Sequence, residues 1–305
     1  MRSKISKLAA VHPGAPPRAH VLRDKGRPVE PYIYVRGVRG NRGAKVPRQF
    51  LEHLSKDRKP FSDGSGRLGL ARAIASSDNP LTSRVLVNRV WVHHFGIGLV
   101  QTPSDFGLRA QPPSHPDLLD YLAYKFIKEG WSIKNLHRWI MLSATYQQLS
   151  NNKAEYVRAD PDNRLLWKMN RQKISFEALR DSVLQVSDQL DLKIGGRPVK
   201  ISTHPTPPRR TIYGFIDRQN LPSTFRVFDF ANPDAHCPER YENVVPQQAL
   251  YLMNSPFIYD QSNKASLLAE RRSESGQARI KILYQMMYQR NPTPLEIIEA
   301  LKFLK

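Results

Sequence analysis

The sequence predicts a mainly α-helical (α+β) fold, in which a helical bundle-like domain carries a small antiparallel β element and a basic, proline-rich N-terminal arm. From about residue 65 onward, apolar residues recur at helical spacing between residues that cap helices. The first 60 residues hold 15 Lys and Arg against 4 Asp and Glu, with several prolines. We therefore expect an extended arm over residues 1–60 and a mostly helical domain over 61–305.

The elements of the first half follow from caps and apolar stripes. Residues 32–35 are rich in strand-forming side chains and form the one convincing element of the arm. A short helix is predicted over 67–75. A longer helix follows over 80–95, because Asn79 is a favoured N-cap that precedes a proline and Gly96 is a favoured C-terminal residue.

Two further helices are predicted before the middle of the chain, and one after it. Ser114 with Asp117 three residues later resembles a capping box, and Gly130 closes the helix that they open. Ser132 begins the next helix. Residues 175–189 carry an apolar stripe and form another.

The second half mixes predicted strands and helices. Residues 210–216 and 225–230 alternate between apolar and polar side chains, which predicts the antiparallel β element. Helix returns at Pro246 and again over 278–289. Thr293, with a glutamate three residues later, forms a capping box that opens the last helix.

The net charge of +20 comes from 47 Lys and Arg against 27 Asp and Glu. More than half of this excess lies in the arm. A basic arm attracts polyanions such as nucleic acid, anionic lipid or acidic polysaccharide, or it is a solvated tail without a specific partner.

Several classes of protein lose their usual sequence support. The single cysteine, Cys237, excludes an internal disulfide, a C-x-x-C-H haem attachment and a cysteine-rich zinc site. No apolar run is long enough for a membrane span, and the start has no apolar signal segment. Nucleotide-binding glycine loops, H-E-x-x-H and G-x-S-x-G are all absent. We expect a chain truncated at both ends, because it also stops inside an amphipathic run.

The stretch over residues 209–257 is the predicted functional region. It is rich in aromatic rings, acids, arginines and prolines, as ordered surface segments that bind or catalyse often are. Four of its residues, Asp229, Asp234, His236 and Cys237, are the candidate catalytic residues. An Asp and a His form an acid/base pair, and a cysteine serves as a nucleophile or, with a histidine, as a metal ligand. A binding loop or a structural role are the alternatives.

A ligand-binding groove is predicted beside these residues. Acid, arginine and amide side chains in a row bind a polar ligand such as a sugar, or they form a turn. Aromatic faces stack on sugar rings, and arginine pairs with carboxylate or sulfate. The candidate ligand-binding residues are Trp91, His94, Tyr213, Asp217, Arg218, Asn220 and Arg226.

Polar residues on the predicted helices have structural readings too. His93 and His94 stand at a helix end, where imidazole caps carbonyl groups. His137 lies beside an apolar stripe and reads as a core residue. Arg89 lies between apolar neighbours, which predicts a buried arginine paired with a carboxylate of the helix over 175–189.

The chain resembles a planctomycete domain family of unknown function. The resemblance covers, in this order, residues 77–107, 112–148, 160–187 and 209–257. The family forms the C-terminal part of exported proteins that carry a cytochrome-c-like domain and a second uncharacterised domain upstream. The resemblance therefore implies a periplasmic or extracellular location, those two partner domains, and haem only in the partner. We expect no cofactor or metal in this chain.

Three functions remain open from the sequence. The first is an accessory or binding module for acidic or polar polysaccharide, which fits the family's association with polysaccharide breakdown. The second is a polysaccharide hydrolase or lyase that uses Asp229, Asp234 and His236. The third is nucleic-acid binding through the basic arm.

Overall fold

A computed structural model describes residues 2–12, 21–24, 26–55 and 57–304 of the chain. These residues form twelve α-helices and one two-stranded antiparallel sheet, which confirms the prediction of a mainly α-helical fold. The chain divides into two compact units, Met1–Gln148 and Leu149–Lys305. The division into an arm over 1–60 and a helical domain over 61–305 stays a prediction. None of the described helices combines the length and the apolar character needed to cross a membrane.

The first unit holds five helices and the sheet. Three of the helices pack on one another around a core that includes Val87, Phe95, Phe126 and Leu136. The elements are α1 (Arg2–Val11), β1 (Tyr32–Tyr34), β2 (Arg42–Lys45), α2 (Arg67–Ile74), α3 (Pro80–Phe95), α4 (Pro116–Lys128) and α5 (Ile133–Met141).

Two of the three helix N-caps that the sequence predicts in the first unit are confirmed. The Asn79 side chain accepts the Leu81 N–H at 3.1 Å, and Gly96 ends α3 with φ of +79°. Ser132 caps α5 as predicted. The prediction that Ser114 caps α4 is wrong, because the cap position falls on His115. A proline suits the first helical position, so Pro116 sets the start one residue later.

The second unit is built from seven helices. Its core is centred on three rings. Phe176 lies 5.3 Å from Phe225 and 5.1 Å from Phe228, measured between ring centroids. The helices are α6 (Ala154–Ala159), α7 (Phe176–Val186), α8 (Ser223–Val227), α9 (Pro246–Asn254), α10 (Pro256–Arg272), α11 (Gly276–Tyr288) and α12 (Pro294–Phe303). The predicted capping box at Thr293 is present.

The prediction of strands over 210–216 and 225–230 is wrong. Thr211–Tyr213 is a single 3₁₀ turn, and α8 covers residues 225–227 of the second stretch. Phe225 and Phe228 are both buried although they are three residues apart, a spacing that shares one face of a helix and not of a strand. The antiparallel pair is instead β1 with β2, so the β element lies within residues 32–45.

Candidate functional site

The 209–257 segment is anchored in the second unit by apolar side chains. Leu221, Phe225 and Phe228 are buried, and they pack with Phe176 of α7. Tyr251 of α9 adds an edge contact to Phe228, with 5.3 Å between ring centroids. Most of the aromatic rings that marked this segment in the sequence therefore hold it to the core, while many of its polar residues lie at the surface.

A buried arginine of α7 fixes the start of the segment. The Arg180 side chain is 2% exposed, and its guanidinium donates to the Pro207 carbonyl at 2.5 Å, the Arg209 carbonyl at 2.8 Å and the Thr211 hydroxyl at 3.1 Å. Burial lowers the pKa of Arg180 from its ordinary value. Asp181 accepts the Thr211 N–H at 2.7 Å. Residues without helix or strand geometry are thus held by side-chain hydrogen bonds.

Asp229 closes a loop within the segment. Its carboxylate lies 3.1 Å from the Lys173 ammonium, and it accepts both the backbone N–H and the side-chain amide of Asn243 at 3.0 Å. Burial of the carboxylate opposes ionisation, but the hydrogen bonds from Asn243 and Lys173 outweigh it and lower the pKa of Asp229. Its φ of +57° lies in the left-handed region, which Asp tolerates better than most residues.

Two more contacts hold the same loop. The Arg240 guanidinium lies 2.9 Å from a Glu177 carboxylate oxygen and 4.6 Å from the Phe230 ring centroid. The Gln248 side-chain amide donates to the Asn243 carbonyl at 3.0 Å. We call residues 229–243 the clamped loop. Its ends are tied together, while its tip is exposed.

The other three candidate catalytic residues lie in the tip of the clamped loop. Asp234, His236 and Cys237 are all exposed. The Cys237 thiol donates to the Glu239 carbonyl at 3.0 Å, and burial, together with the neighbouring Glu242, raises the pKa of Glu239. No hydrogen bond joins these three residues to one another or to Asp229, all of which lie within the described 57–304 range. Their catalytic role stays a prediction.

The 217–226 stretch exposes polar side chains before and after two buried anchors. Asp217 accepts the Gln219 N–H at 3.0 Å, which forms the turn that the sequence offered as one alternative. Leu221 and Phe225 point into the core. The exposed residues of this stretch that belong to the predicted ligand-binding set are Asp217, Arg218, Asn220 and Arg226.

The remaining aromatic candidates are engaged in packing. The Tyr213 hydroxyl accepts the Gly195 N–H at 3.0 Å, and the Arg209 guanidinium lies 4.2 Å from its ring centroid. Trp91 belongs to the first unit, where it is buried and stacked on Phe95 at 4.2 Å. A groove that Trp91 and Tyr213 both line stays a prediction.

The histidines at the end of α3 have a specific partner. His94 Nε2 lies 2.7 Å from His137 Nδ1 of α5, so one ring donates and the other accepts. Burial lowers the pKa of His94, and the neighbouring His137 and His93 lower it further. The reading of His137 as a core residue holds in part, since it is half-buried. The pair joins two helices of the first unit.

The predicted buried arginine is a different residue. Arg89 is exposed, so the prediction that it is buried is wrong. Its neighbour Asn88 is buried instead, and it bonds the N–H and the carbonyl of Val100 at 2.9 Å each. Arg180 takes the buried position. The sequence alone does not show which of the two arginines is buried, because each lies in a helix among apolar residues.

Among the described residues, no metal-binding cluster is found at the clamped loop. Within residues 2–12, 21–24, 26–55 and 57–304, no group of three His, Cys, Asp or Glu side chains has metal-binding geometry. A cavity of about 460 Å³ lies between α11 and α12, with a largely apolar lining that includes Leu283, Tyr284, Leu295 and Phe303. No residue of the 209–257 segment lines it.

Comparisons with known proteins identify one relationship. The family model described as PSD1, Protein of unknown function (DUF1553), matches residues 66–304. No curated protein and no solved structure matches the chain.

Proposed function

Because the chain belongs to the PSD1 family of proteins of unknown function (DUF1553), its own surface must indicate a role, and we propose that it is a binding module for acidic or polar polysaccharide. The binding surface is the outward face of residues 217–226. The module acts as an accessory to another domain.

One observation carries the proposal: the exposed arginine and amide side chains belong to a backbone stretch that buried apolar residues anchor to the core. Within the described 57–304 range, neither Arg218 nor Arg226 forms an ion pair, whereas Arg209, Arg210 and Arg240 hold the fold together through Asp191, Asp181 and Glu177. Guanidinium groups bind carboxylate and sulfate in a forked geometry. A fixed backbone lowers the entropy that binding costs.

Two aromatic rings of the 209–257 segment are exposed. Phe215 is 46% exposed and Tyr241 is 83% exposed. Rings that present a face to solvent stack on the apolar faces of sugars and add little conformational entropy cost, because they have few rotatable bonds. Arginine, amide and aromatic side chains on one ordered segment favour a polar polymer.

The geometry favours binding over hydrolysis. Asp229 already accepts three hydrogen bonds, and these lower its pKa, which makes it a poor general acid at neutral pH. Asp234 and His236 are exposed. A hydrolase or lyase at these residues remains the alternative, and polymer shortening would reveal it.

The proposal includes the setting that the resemblance implies. The module would stand beside a cytochrome-c-like domain and a second upstream domain in an extracytoplasmic protein. Binding of a polymer would keep that partner domain close to its substrate through a high local concentration. Haem would belong to the partner.

The test is a titration of the full chain with a sulfated polysaccharide and with its desulfated form. We compare the double variant Arg218→Gln/Arg226→Gln with the control Arg271→Gln/Arg272→Gln, which removes two exposed charges at the end of α10. The first variant is expected to bind the sulfated polymer about tenfold more weakly. The control is expected to change affinity less than twofold. Equal losses in both variants would show non-specific attraction by net charge and overturn the proposal.

A further inference from the structure

The hairpin made by β1 and β2 forms a second ordered basic surface, in the first unit. Tyr32 pairs with Lys45 and Tyr34 with Arg42 across the two strands. The connection is hydrogen-bonded through Val35 N–H to Asn41 O at 3.0 Å and Asn41 N–H to Val38 O at 2.9 Å. The hairpin tip therefore presents its side chains on a defined backbone.

The arginines of the hairpin carry positive charge without an acidic residue beside them in sequence. No acidic residue lies between Glu30 and Glu52, whereas Arg36, Arg39 and Arg42 all lie in the hairpin and are exposed. Among the described residues, Arg36 and Arg39 form no ion pair. An exposed cluster of one sign costs stability through self-repulsion, so the cluster is more useful as a surface for anions than as a contribution to the fold.

Each of these arginines is followed by a glycine. At one of the three positions, the backbone and its surroundings do not require a glycine. Gly37 has φ of +73°, and a Cβ at Gly43 would lie 3.2 Å from the Ile33 carbonyl oxygen, so both positions favour glycine. Gly40 lacks a left-handed φ, and a Cβ placed there would meet nothing within 4 Å. A glycine that the fold does not need leaves room for a ligand to approach the backbone closely.

Apolar side chains are exposed beside the arginines. Ile33, Tyr34, Val35 and Val38 are each between 41% and 56% exposed. A two-stranded hairpin gains little stability by itself, and exposed apolar groups add none. Their combination with arginines fits a polymer that has both charged groups and apolar faces.

We propose that this hairpin is a second contact site for the polysaccharide and that it takes polymers with closely spaced sulfate or carboxylate groups; this rests on the proposed function. Arg36, Arg39 and Arg42 contact the anionic groups, and Gly40 lets the polymer lie against the backbone. Single-stranded nucleic acid is the competing ligand, and it gains affinity from stacking of its bases on free ring faces. The Arg42 guanidinium lies 5.3 Å from the Tyr32 ring centroid, which leaves Tyr34 as the one unoccupied ring of the hairpin.

The experiment uses two hairpin variants of the full chain and the same sulfated polysaccharide. Arg36→Gln/Arg39→Gln is expected to weaken binding about tenfold, while Arg271→Gln/Arg272→Gln changes it less than twofold. Gly40→Ala keeps the charge and the fold but is expected to weaken binding threefold or more. Circular dichroism and thermal unfolding check that each variant folds as the parent does.

The outcomes separate this inference from the proposed function. If Arg218→Gln/Arg226→Gln weakens binding while both hairpin variants bind as the parent does, the hairpin inference is wrong and the proposed function stands. If neither pair of arginines matters, both are wrong. A loss from the hairpin variants that is larger for a single-stranded oligonucleotide than for the polysaccharide would make nucleic acid the partner and overturn the inference.

Discussion

Arg180 shows how single side chains replace regular secondary structure in the second unit. Its guanidinium satisfies the carbonyl groups of Pro207 and Arg209, which no helix or strand serves. Buried backbone carbonyls without partners cost about 1–3 kcal/mol each. The irregular start of the 209–257 segment therefore depends on one residue of α7.

Replacement of this arginine tests that dependence. Arg180→Met keeps much of the volume but leaves the Pro207 and Arg209 carbonyls without their donor, so we expect the free energy of unfolding to fall by about 3 kcal/mol. Urea unfolding measures it. Arg226→Met is the control, and because Arg226 is exposed a change within about 0.5 kcal/mol is expected. Similar values for the two variants would show that Arg180 does not anchor the segment.

Asp229 is the residue that ties the clamped loop, and Asp229→Asn is expected to loosen it. The substitution removes the ion pair with Lys173, and the hydrogen bonds from Asn243 lose the carboxylate charge that strengthens them. Limited proteolysis between residues 230 and 243 is expected to become several-fold faster. Asp217→Asn, which changes an exposed turn, is the control. Equal protection in the parent and Asp229→Asn would contradict the clamp.

The same carboxylate gives the clamp a pH dependence. Because the pKa of Asp229 is lowered in the folded state, its contribution to stability is present above the ordinary pKa of 3.8 and is lost as the pH falls through the lower folded value. Cleavage of the parent loop by an acid-stable protease is therefore expected to accelerate below pH 4. Asp229→Asn should show less acceleration.

At the scale of elements, the His94–His137 contact joins α3 to α5. The lowered pKa of His94 means that the unfolded chain binds more protons than the folded one just below pH 6.5, so stability falls as the pH drops through this region. His94→Gln keeps a hydrogen-bonding group and is expected to flatten the loss of stability between pH 7 and 5, measured by urea unfolding. His53→Gln, at an exposed site, should leave the loss unchanged. A parent stability that does not change over this range would contradict the account.

Helices were predictable wherever local chemistry decides them. Asn79 with its proline, Ser132 and Thr293 each set a helix start through hydrogen bonds within one turn of chain. The stretch over 225–230 was misjudged because its alternation also fits Phe225 and Phe228 at helical spacing. The strand pattern and the helix pattern over these residues differ only in which neighbouring side chains the two rings contact.

The candidate site was predictable as a region but not as a set of contacts. The composition of residues 209–257 marked an irregular, ordered segment. Lys173 and Glu177, which hold the clamped loop, lie 56 and 63 positions from their partners Asp229 and Arg240. Such pairs arise from tertiary packing, and no local pattern in one sequence announces them.

At the scale of the whole molecule, the chain carries a net charge of +20, and its arginines are of two kinds. Some hold the fold together, and others face solvent. In the second unit, arginines with carboxylate partners or buried acceptors hold the fold, and Arg218 and Arg226 face solvent. In the first unit, Arg36 and Arg39 lie on the hairpin.

The most direct measurement follows binding and polymer length in one sample. The full chain is titrated with a sulfated polysaccharide at physiological salt, and the length of the recovered polymer is determined by size-exclusion chromatography. The account predicts saturable binding, at least tenfold weaker binding of the desulfated polymer, and an unchanged polymer length. Equal affinity for the two polymers, or progressive shortening of the chain, would contradict it.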